Sequence, residues 1–363
     1  MAYMNRETAY VQAVPNTHHD IRMLILALTG ACNVRCAYCY ASAQPPEKIP
    51  RAALRWALDL AGQSGQPFVV QFTGGEPLLA FERLVYAVDY IREKKYSATL
   101  QIQTNASLLT PTMARYFAAE KIGVGVSLDG SVAANDAARQ YPDRSGTAAD
   151  IMRGLQVLAQ AGVAVGMTCV VGAHNIHALS SVVDMAYYAG NVRKLGFDLL
   201  RPQGRASRDA VVTEAEMAVA LEQVMRRADE LERLTGRHLI FVHGQRVAQL
   251  QSGRTEVFAH CYAMTHHAVF VNPRGECYSC ASLSAYPQYR IGSYREGLRG
   301  QATRAAAADI KQAMERCYHC EFLEKCGGGC YARWAGGDTA HEAECRLKQM
   351  FINRYEKQRG GLR

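Results

Sequence analysis

The sequence predicts an α/β protein, a partial (β/α)6 TIM-like barrel followed by a small cysteine-rich α+β domain. Three observations carry this. Six short β-branched or apolar runs alternate with stretches of helical period, several runs end in polar or glycine-rich clusters, and eight of the twelve cysteines crowd between Cys261 and Cys345. Repeated βα units imply a parallel sheet. Chemistry-bearing residues at the C-terminal ends of the strands favour a barrel over a doubly wound sheet.

The strand candidates, in order, are RMLILALTG from Arg22, FVVQFTGG from Phe68, SATLQIQTN from Ser97, VGVSLDG from Val124, AVGMTCVV from Ala164 and KLGFDLL from Lys194. Between them Arg51 to Gln63, Ala80 to Lys94, Ala148 to Ala161 and Ile176 to Ala189 place apolar residues three and four apart, as amphipathic helices do. Thr213 to Leu234 reads as one long amphipathic helix, and the composition changes after it. The expected division is an N-terminal extension at 1–21, the barrel at 22–212, a helical bridge at 213–255 and the cysteine-rich domain at 256–363, with no low-complexity linker or solenoid repeat.

The chain has 363 residues, 49% of them hydrophobic and 20% charged, so it can bury a sizeable core. No window approaches the roughly 18 apolar residues of a membrane span, and MAYMNRETAYVQ lacks the charged-then-apolar pattern of a secretory signal. A cytoplasmic location is expected. Thiols stay reduced there, which makes metal ligation the leading explanation for twelve cysteines. The net charge of +8 is scattered, with Arg201, Arg205 and Arg208 the nearest thing to a cluster, so nucleic acid is disfavoured as a partner.

The sharpest motif is Cys32-Asn-Val-Arg-Cys36-Ala-Tyr-Cys39, just after the first strand. A four-iron cubane takes four ligands, so three thiolates leave one iron open to bind something else. A zinc site would need a fourth Cys or His, which folding could bring in. Spacing alone leaves both open and favours the cluster. In this position, with Tyr38 before the last cysteine, the motif resembles that of the radical S-adenosylmethionine (SAM) superfamily. The resemblance implies that Cys32, Cys36 and Cys39 hold a [4Fe–4S] cluster whose open iron chelates SAM. One electron then cleaves SAM to methionine and a 5′-deoxyadenosyl radical that takes hydrogen from a substrate.

Further elements are similar to those of the same superfamily and follow at strand ends. Thr73-Gly74-Gly75-Glu76-Pro77 resembles its GGEP element, which holds the SAM amino group; glycine there lets backbone approach a ligand closely. Gln103-Thr104-Asn105 and Ser127-Leu128-Asp129-Gly130 end the third and fourth strands. The resemblance makes Ser127 a ribose contact, Arg139 the partner of the SAM carboxylate, and Val171 and Leu200 adenine contacts. A guanidinium fork suits a carboxylate because it donates two parallel hydrogen bonds. Asp129 reads equally as a cap on the next segment.

Cys317-x2-Cys320-x5-Cys326-x3-Cys330 and Cys345, preceded by Cys261 and Gly275-x4-Cys280, resemble the SPASM extension of radical SAM enzymes that act on peptides and proteins. That resemblance implies two auxiliary clusters, one on Cys317, Cys320, Cys326 and Cys345, the other on Cys261, Cys280 and Cys330, with Cys277 a candidate fourth ligand. Paired CxxC units also bind zinc, which is the alternative for Cys317 to Cys330. Cys169, alone in an apolar strand, reads as a core residue. His266 and His267 read as neighbours on a strand, pointing to opposite faces.

The function implied is maturation of a ribosomally made peptide or a protein by hydrogen abstraction, ending in a thioether or carbon–carbon crosslink. A flavodoxin or ferredoxin-like reductant is the expected electron donor. The short segment before the first strand points to recognition by a separate leader-peptide-binding protein or by the barrel itself. The alternatives are a sulfatase-maturating enzyme that makes formylglycine, a haem or cofactor biosynthesis enzyme, and a non-catalytic iron–sulfur electron carrier. Sulfatase-maturating enzymes carry a catalytic Asp directly after the cysteine that is here Cys280, where this chain has Ala281.

Overall fold

The computed structural model describes residues 20–334 and 340–360, so the expected extension at 1–21 falls almost wholly outside the described residues. The strands are β1 (Met23–Ala27), β2 (Phe68–Thr73), β3 (Ala98–Thr104), β4 (Gly123–Ser127), β5 (Val165–Val171), β6 (Val192–Leu199), β7 (Ile240–Phe241), β8 (Ala268–Val271), β9 (Glu276–Tyr278), β10 (Arg290–Ser293) and β11 (Gly297–Leu298). The helices are α1 (Arg51–Gly62), α2 (Phe81–Lys94), α3 (Pro111–Ala119), α4 (Val132–Asp136), α5 (Ala148–Gln160), α6 (Ser181–Ala189), α7 (Glu214–Thr235), α8 (Val242–Gln251), α9 (Gly300–Ala313), α10 (Glu315–Tyr318), α11 (Leu323–Cys326), α12 (Tyr331–Trp334) and α13 (Ala340–Gly360).

The expected long helix is α7. Thr213 and Glu216 form a reciprocal capping box at its start, and Gly236 ends it in the left-handed conformation. The expected helix from Ile176 to Ala189 is instead divided. A single tight turn, Ile176–Ala178, precedes α6. The Ser181 hydroxyl donates to the Ala178 carbonyl at 2.7 Å and accepts from the Ser131 amide at 2.8 Å, and such side-chain bonds compete with the helical ladder.

Among the described residues the strands form one sheet in the order β11-β10-β9-β8-β1-β2-β3-β4-β5-β6-β7. The run from β1 to β7 is parallel. Strand β8 joins the far edge of β1, also in parallel, from Met23↔Ala268 to Leu26↔Val271. The cysteine-rich part therefore continues the barrel's sheet, while β9 to β11 return antiparallel.

Alternation sorts the side chains. Val70 and Phe72, Leu100 and Ile102, Val124 and Val126, and Val165 and Met167 are buried in the helix-facing core. Their neighbours Gln71, Gln101, Gln103, Gly125, Gly166, Thr168, Gly196 and Asp198 line the lumen, a cavity of about 640 Å³ closed on one side by Val242, His243 and Arg333. The partial barrel therefore has a glycine-rich interior in which glutamine, threonine and aspartate side chains are set among apolar surface.

Candidate active site

The three cysteines of the first motif lie on the loop between β1 and α1. Backbone bonds anchor that loop to two segments: Arg35 N–H to the Gln140 carbonyl at 2.6 Å and Ala37 N–H to Ala138 at 2.8 Å on one, and Arg205 N–H to Cys39 at 3.1 Å on the other. Burial pushes the Cys32 thiol up to about 11, the Val34 amide opposes this, and Cys36 and Cys39 add to it as like charges. The three thiols share one electrostatic neighbourhood, as a common ligand would require.

Gly74 and Gly75 lie against the same loop. The Gly75 amide donates to the Thr29 carbonyl at 2.8 Å and the Glu76 amide to Ala31 at 2.9 Å. A Cβ on Gly74 would fall 2.1 Å from the Thr29 oxygen, and one on Gly75 would fall 2.3 Å from that of Ala31, so both glycines permit two backbones to meet. Pro77 begins the tight turn after them. Glu76 is fully buried, and burial pushes its carboxyl up. Its Oε1 accepts from Thr104 Oγ1 at 2.6 Å and the Leu78 amide at 3.1 Å, and its Oε2 accepts from the Asn105 amide at 2.8 Å. Glu76 thus ties the end of β2 to the end of β3, with a lone pair left on Oε2. Asn105 Nδ2 donates to Asn33 Oδ1 at 3.0 Å, inside the cysteine loop.

Opposite stands a second group. Tyr38 donates its hydroxyl hydrogen bond to Asp129 and accepts one from Arg139 Nη1 at 2.9 Å. Its ring stacks on His174, with centroids 5.2 Å apart. Asp129 is fully buried and its Oδ1 accepts from the Val170 amide at 2.9 Å, so it braces β4 against β5 as well as holding Tyr38. Arg139 Nε and His174 Nε2 are buried without hydrogen-bond partners; the latter lies 3.4 Å from Asp129 but out of line for a bond. Ser127 accepts from Gln103 Nε2 at 3.0 Å. The Leu200 amide donates to the Val171 carbonyl at 2.9 Å, bringing the expected adenine contacts side by side.

The remaining nine cysteines divide into two groups and two outliers. Cys317, Cys320, Cys326 and Cys345 line one small, largely apolar pocket with Phe322, Leu323, Glu344 and Lys348. Burial pushes the Cys261 thiol up to about 11, and Cys330 and Cys280 contribute, so these three are neighbours. The structure does not bring Cys277 to them. It is fully buried in the hydrophobic core, and its charged neighbours are Arg290, Glu296 and Glu276. Cys169 is buried in β5, as expected. His266 and His267 do not share a strand: His266 has positive φ in the turn before β8.

Residues 26–186 match the radical SAM superfamily. The chain is a radical SAM enzyme. Among curated relatives of this radical SAM enzyme, the serine-type anaerobic sulfatase-maturating enzyme of Klebsiella aerogenes is 26% identical over 92% of this chain and 85% of its own length. The AdoMet-dependent haem synthase of Nitratidesulfovibrio vulgaris is 25% identical over 90% and 92%. Mycofactocin maturase MftC of Mycobacterium tuberculosis is 27% identical over 84% and 77%. In fold the chain is similar to anSMEcpe with bound AdoMet and Cp18Cys peptide, at TM-score 0.75 and 17% identity over 94% of this chain and 99% of the other. It is also similar to Streptococcus suis SuiB bound to precursor peptide SuiA, at TM-score 0.64 and 16% identity over 89% and 74%.

The cofactors of a radical SAM enzyme are SAM and a [4Fe–4S] cluster, and the residues fit them. Three neighbouring thiols form the donor set, and the orphaned Nε of Arg139 offers a donor for a carboxylate. Among the described residues no three His, Cys, Asp or Glu side chains converge on a single-ion site. Sequence reasoning missed His174 and the bracing role of Asp129. The only local signal was their place, after β5 and β4.

Proposed function

We propose that this radical SAM enzyme matures a ribosomally made peptide, abstracting one hydrogen atom from one residue and closing a thioether or carbon–carbon crosslink as a proton leaves and an auxiliary cluster, when bound, accepts the second electron. The observation that carries this reading is the meeting of two cysteine sets. Tyr40, next to Cys39, is electrostatically coupled both to Cys39 and to Cys280, and the Arg201 guanidinium lies 5.3 Å from its ring centroid. Gln44 Nε2, on the loop of the first set, also donates to Ser284 Oγ, four residues past Cys280, at 2.8 Å, so the two sets lie side by side. Two solved structures similar in fold hold a bound peptide, which supports the same reading.

In this reading Cys32, Cys36 and Cys39 hold the first cluster, which with SAM supplies a carbon-centred radical. Arg139 binds the SAM carboxylate, Ser127 the ribose, and the backbone at Gly74 and Gly75 together with Glu76 Oε2 the amino group. Thr104 and Asn105 hold Glu76 in place, Tyr38 holds Arg139, and Val171 and Leu200 flank the adenine. Cys317, Cys320, Cys326 and Cys345 hold one auxiliary cluster and Cys261, Cys280 and Cys330 another. Cys277 is left as a core residue.

Formylglycine formation fits less well. Ala281 follows Cys280. The carboxylate that does reach the lumen, Asp198, accepts from Arg201 Nη1 and Nη2 at 3.1 and 3.2 Å and from Arg333 Nη2 at 2.5 Å. Burial works against its charge, but the two guanidinium groups overcome that and hold it well below the usual carboxylate range. So weak a base takes up a proton poorly.

The test is anaerobic co-expression with short peptides encoded beside the gene, read by intact mass, with Cys32→Ala as control. Loss of two hydrogens per event, only with Cys32 intact and with no aldehyde trapped by a hydrazide, supports crosslinking; a trapped aldehyde would point to formylglycine instead. Unchanged mass and no deuterium uptake in any peptide would turn the reading toward a protein or cofactor substrate.

A further inference from the structure

A chain of charges, buried at Glu344 and partly buried elsewhere, runs from the lumen to the second cysteine pocket. Asp198, on the lumen face of β6, binds Arg201 and Arg333. Arg333 Nη1 then donates to Glu344 Oε1 at 2.7 Å, and Lys348 Nζ lies 2.9 Å from the same oxygen. Lys348 also donates to the Gly328 carbonyl, and both it and Glu344 line the pocket of Cys317, Cys320, Cys326 and Cys345. The other oxygen of Glu344 receives the Cys330 amide at 3.4 Å, and the Arg333 amide donates to the Cys330 carbonyl at 3.0 Å. The network is therefore wrapped around one member of the Cys261, Cys280, Cys330 trio.

Two features call for an explanation beyond stability. First, ions withdrawn this far from water stabilise a fold weakly, because partial desolvation offsets their attraction. Second, the charges do not cancel. Arg201, Arg333 and Lys348 face Asp198 and Glu344, leaving one positive charge in surplus, and Arg201 Nε and Arg333 Nε have no hydrogen-bond partner. Arg201 and Arg333 both feel the Cys330 thiolate, and Arg201 also acts on Cys280.

We propose that Arg201 and Arg333 raise the reduction potential of the cluster held by Cys261, Cys280 and Cys330, with Asp198 as the opposing charge. This rests on the reading that the trio holds a cluster. Adding an electron to an iron–sulfur centre adds negative charge, so a fixed positive charge nearby favours the reduced form. Asp198 lies on the lumen, so a charged substrate group placed beside it would alter the same balance.

The experiment is an EPR-monitored redox titration of the anaerobically reconstituted full chain carrying Cys32→Ala, Cys36→Ala and Cys39→Ala, which removes the first cluster's signal. The trio's signal is the one lost on further Cys261→Ala or Cys280→Ala substitution. At a fixed potential, Arg333→Gln and Arg201→Gln should each lower the ratio of reduced to oxidised cluster several-fold, the scale of one partly buried charge. Asp198→Asn should raise it, and Arg333→Lys should restore the parent value. A loosened site would move all variants the same way, so the opposite signs separate electrostatics from structure. Shifts of one sign, or none with iron retained, would overturn the proposal. Absence of any trio-dependent signal would overturn the cluster reading itself, a distinct result.

Discussion

Among single residues, Arg139 has the most demanding surroundings. It is buried, it donates to Tyr38, and its Nε has no partner. Arg139→Leu should weaken SAM binding about 10- to 100-fold, the scale of a lost charge-assisted hydrogen bond, while the absorption of the Cys32, Cys36 and Cys39 cluster remains. Arg139→Lys should fall between, keeping the charge and losing the fork. Equilibrium dialysis with labelled SAM decides the matter. Unchanged affinity in the Leu variant would reduce Arg139 to a brace for Tyr38 and Asp129. His174 gives a second prediction. With a ring stacked on Tyr38 and an unpartnered Nε2, His174→Ala should weaken SAM several-fold, whereas His174→Phe, which keeps the stack, should recover part of the loss.

At the scale of elements, the turn after β2 is the most constrained. Gly74 has φ +145° and no room for a Cβ beside the Thr29 carbonyl, so Gly74→Ala should lower stability by about 1–3 kcal/mol and shift the cysteine loop. Gly162, with φ +72° and open space around it, is the control, and its Ala variant should lose about 1 kcal/mol. Thermal unfolding of both variants tests the difference. The strands and their functional ends were legible because period-two burial and terminal polar clusters are local properties of sequence. What was not legible depended on distant partners. Ser181 breaks the expected helix from Ile176 because its hydroxyl meets Ser131, 50 residues away. Cys277 could be oriented only after three-residue β9 was paired to β8 and β10. Asp198 found its second arginine, Arg333, 135 residues away.

At the scale of the whole molecule, acid sensitivity and integrity both follow from how the parts close on one another. Burial lowers His243 to about 4, the hydrogen bond it donates to the Phe197 carbonyl opposes this, and Lys348 and Arg333 lower it further. An unfolded histidine titrates near 6.5. Between those values the unfolded chain binds a proton that the folded chain refuses, so stability is fully present above pH 6.5 and falls as pH drops toward about 4, by at most ~3 kcal/mol. His243→Leu should flatten that part of a denaturation-against-pH curve. Integrity rests on β8, which pairs with the outer edge of β1, and on α13, which packs against α7 and α8. A chain ended at residue 255 would lose both. It would leave the edge of β1 unpaired and α7 and α8 stripped of their packing, the conditions under which edge strands associate. We therefore expect 1–255 to aggregate and to show no cooperative unfolding, although it retains Cys32, Cys36, Cys39 and every proposed SAM contact. A soluble 1–255 fragment that unfolds cooperatively and binds SAM would show instead that the barrel folds alone and that the cysteine-rich part is an addition to it.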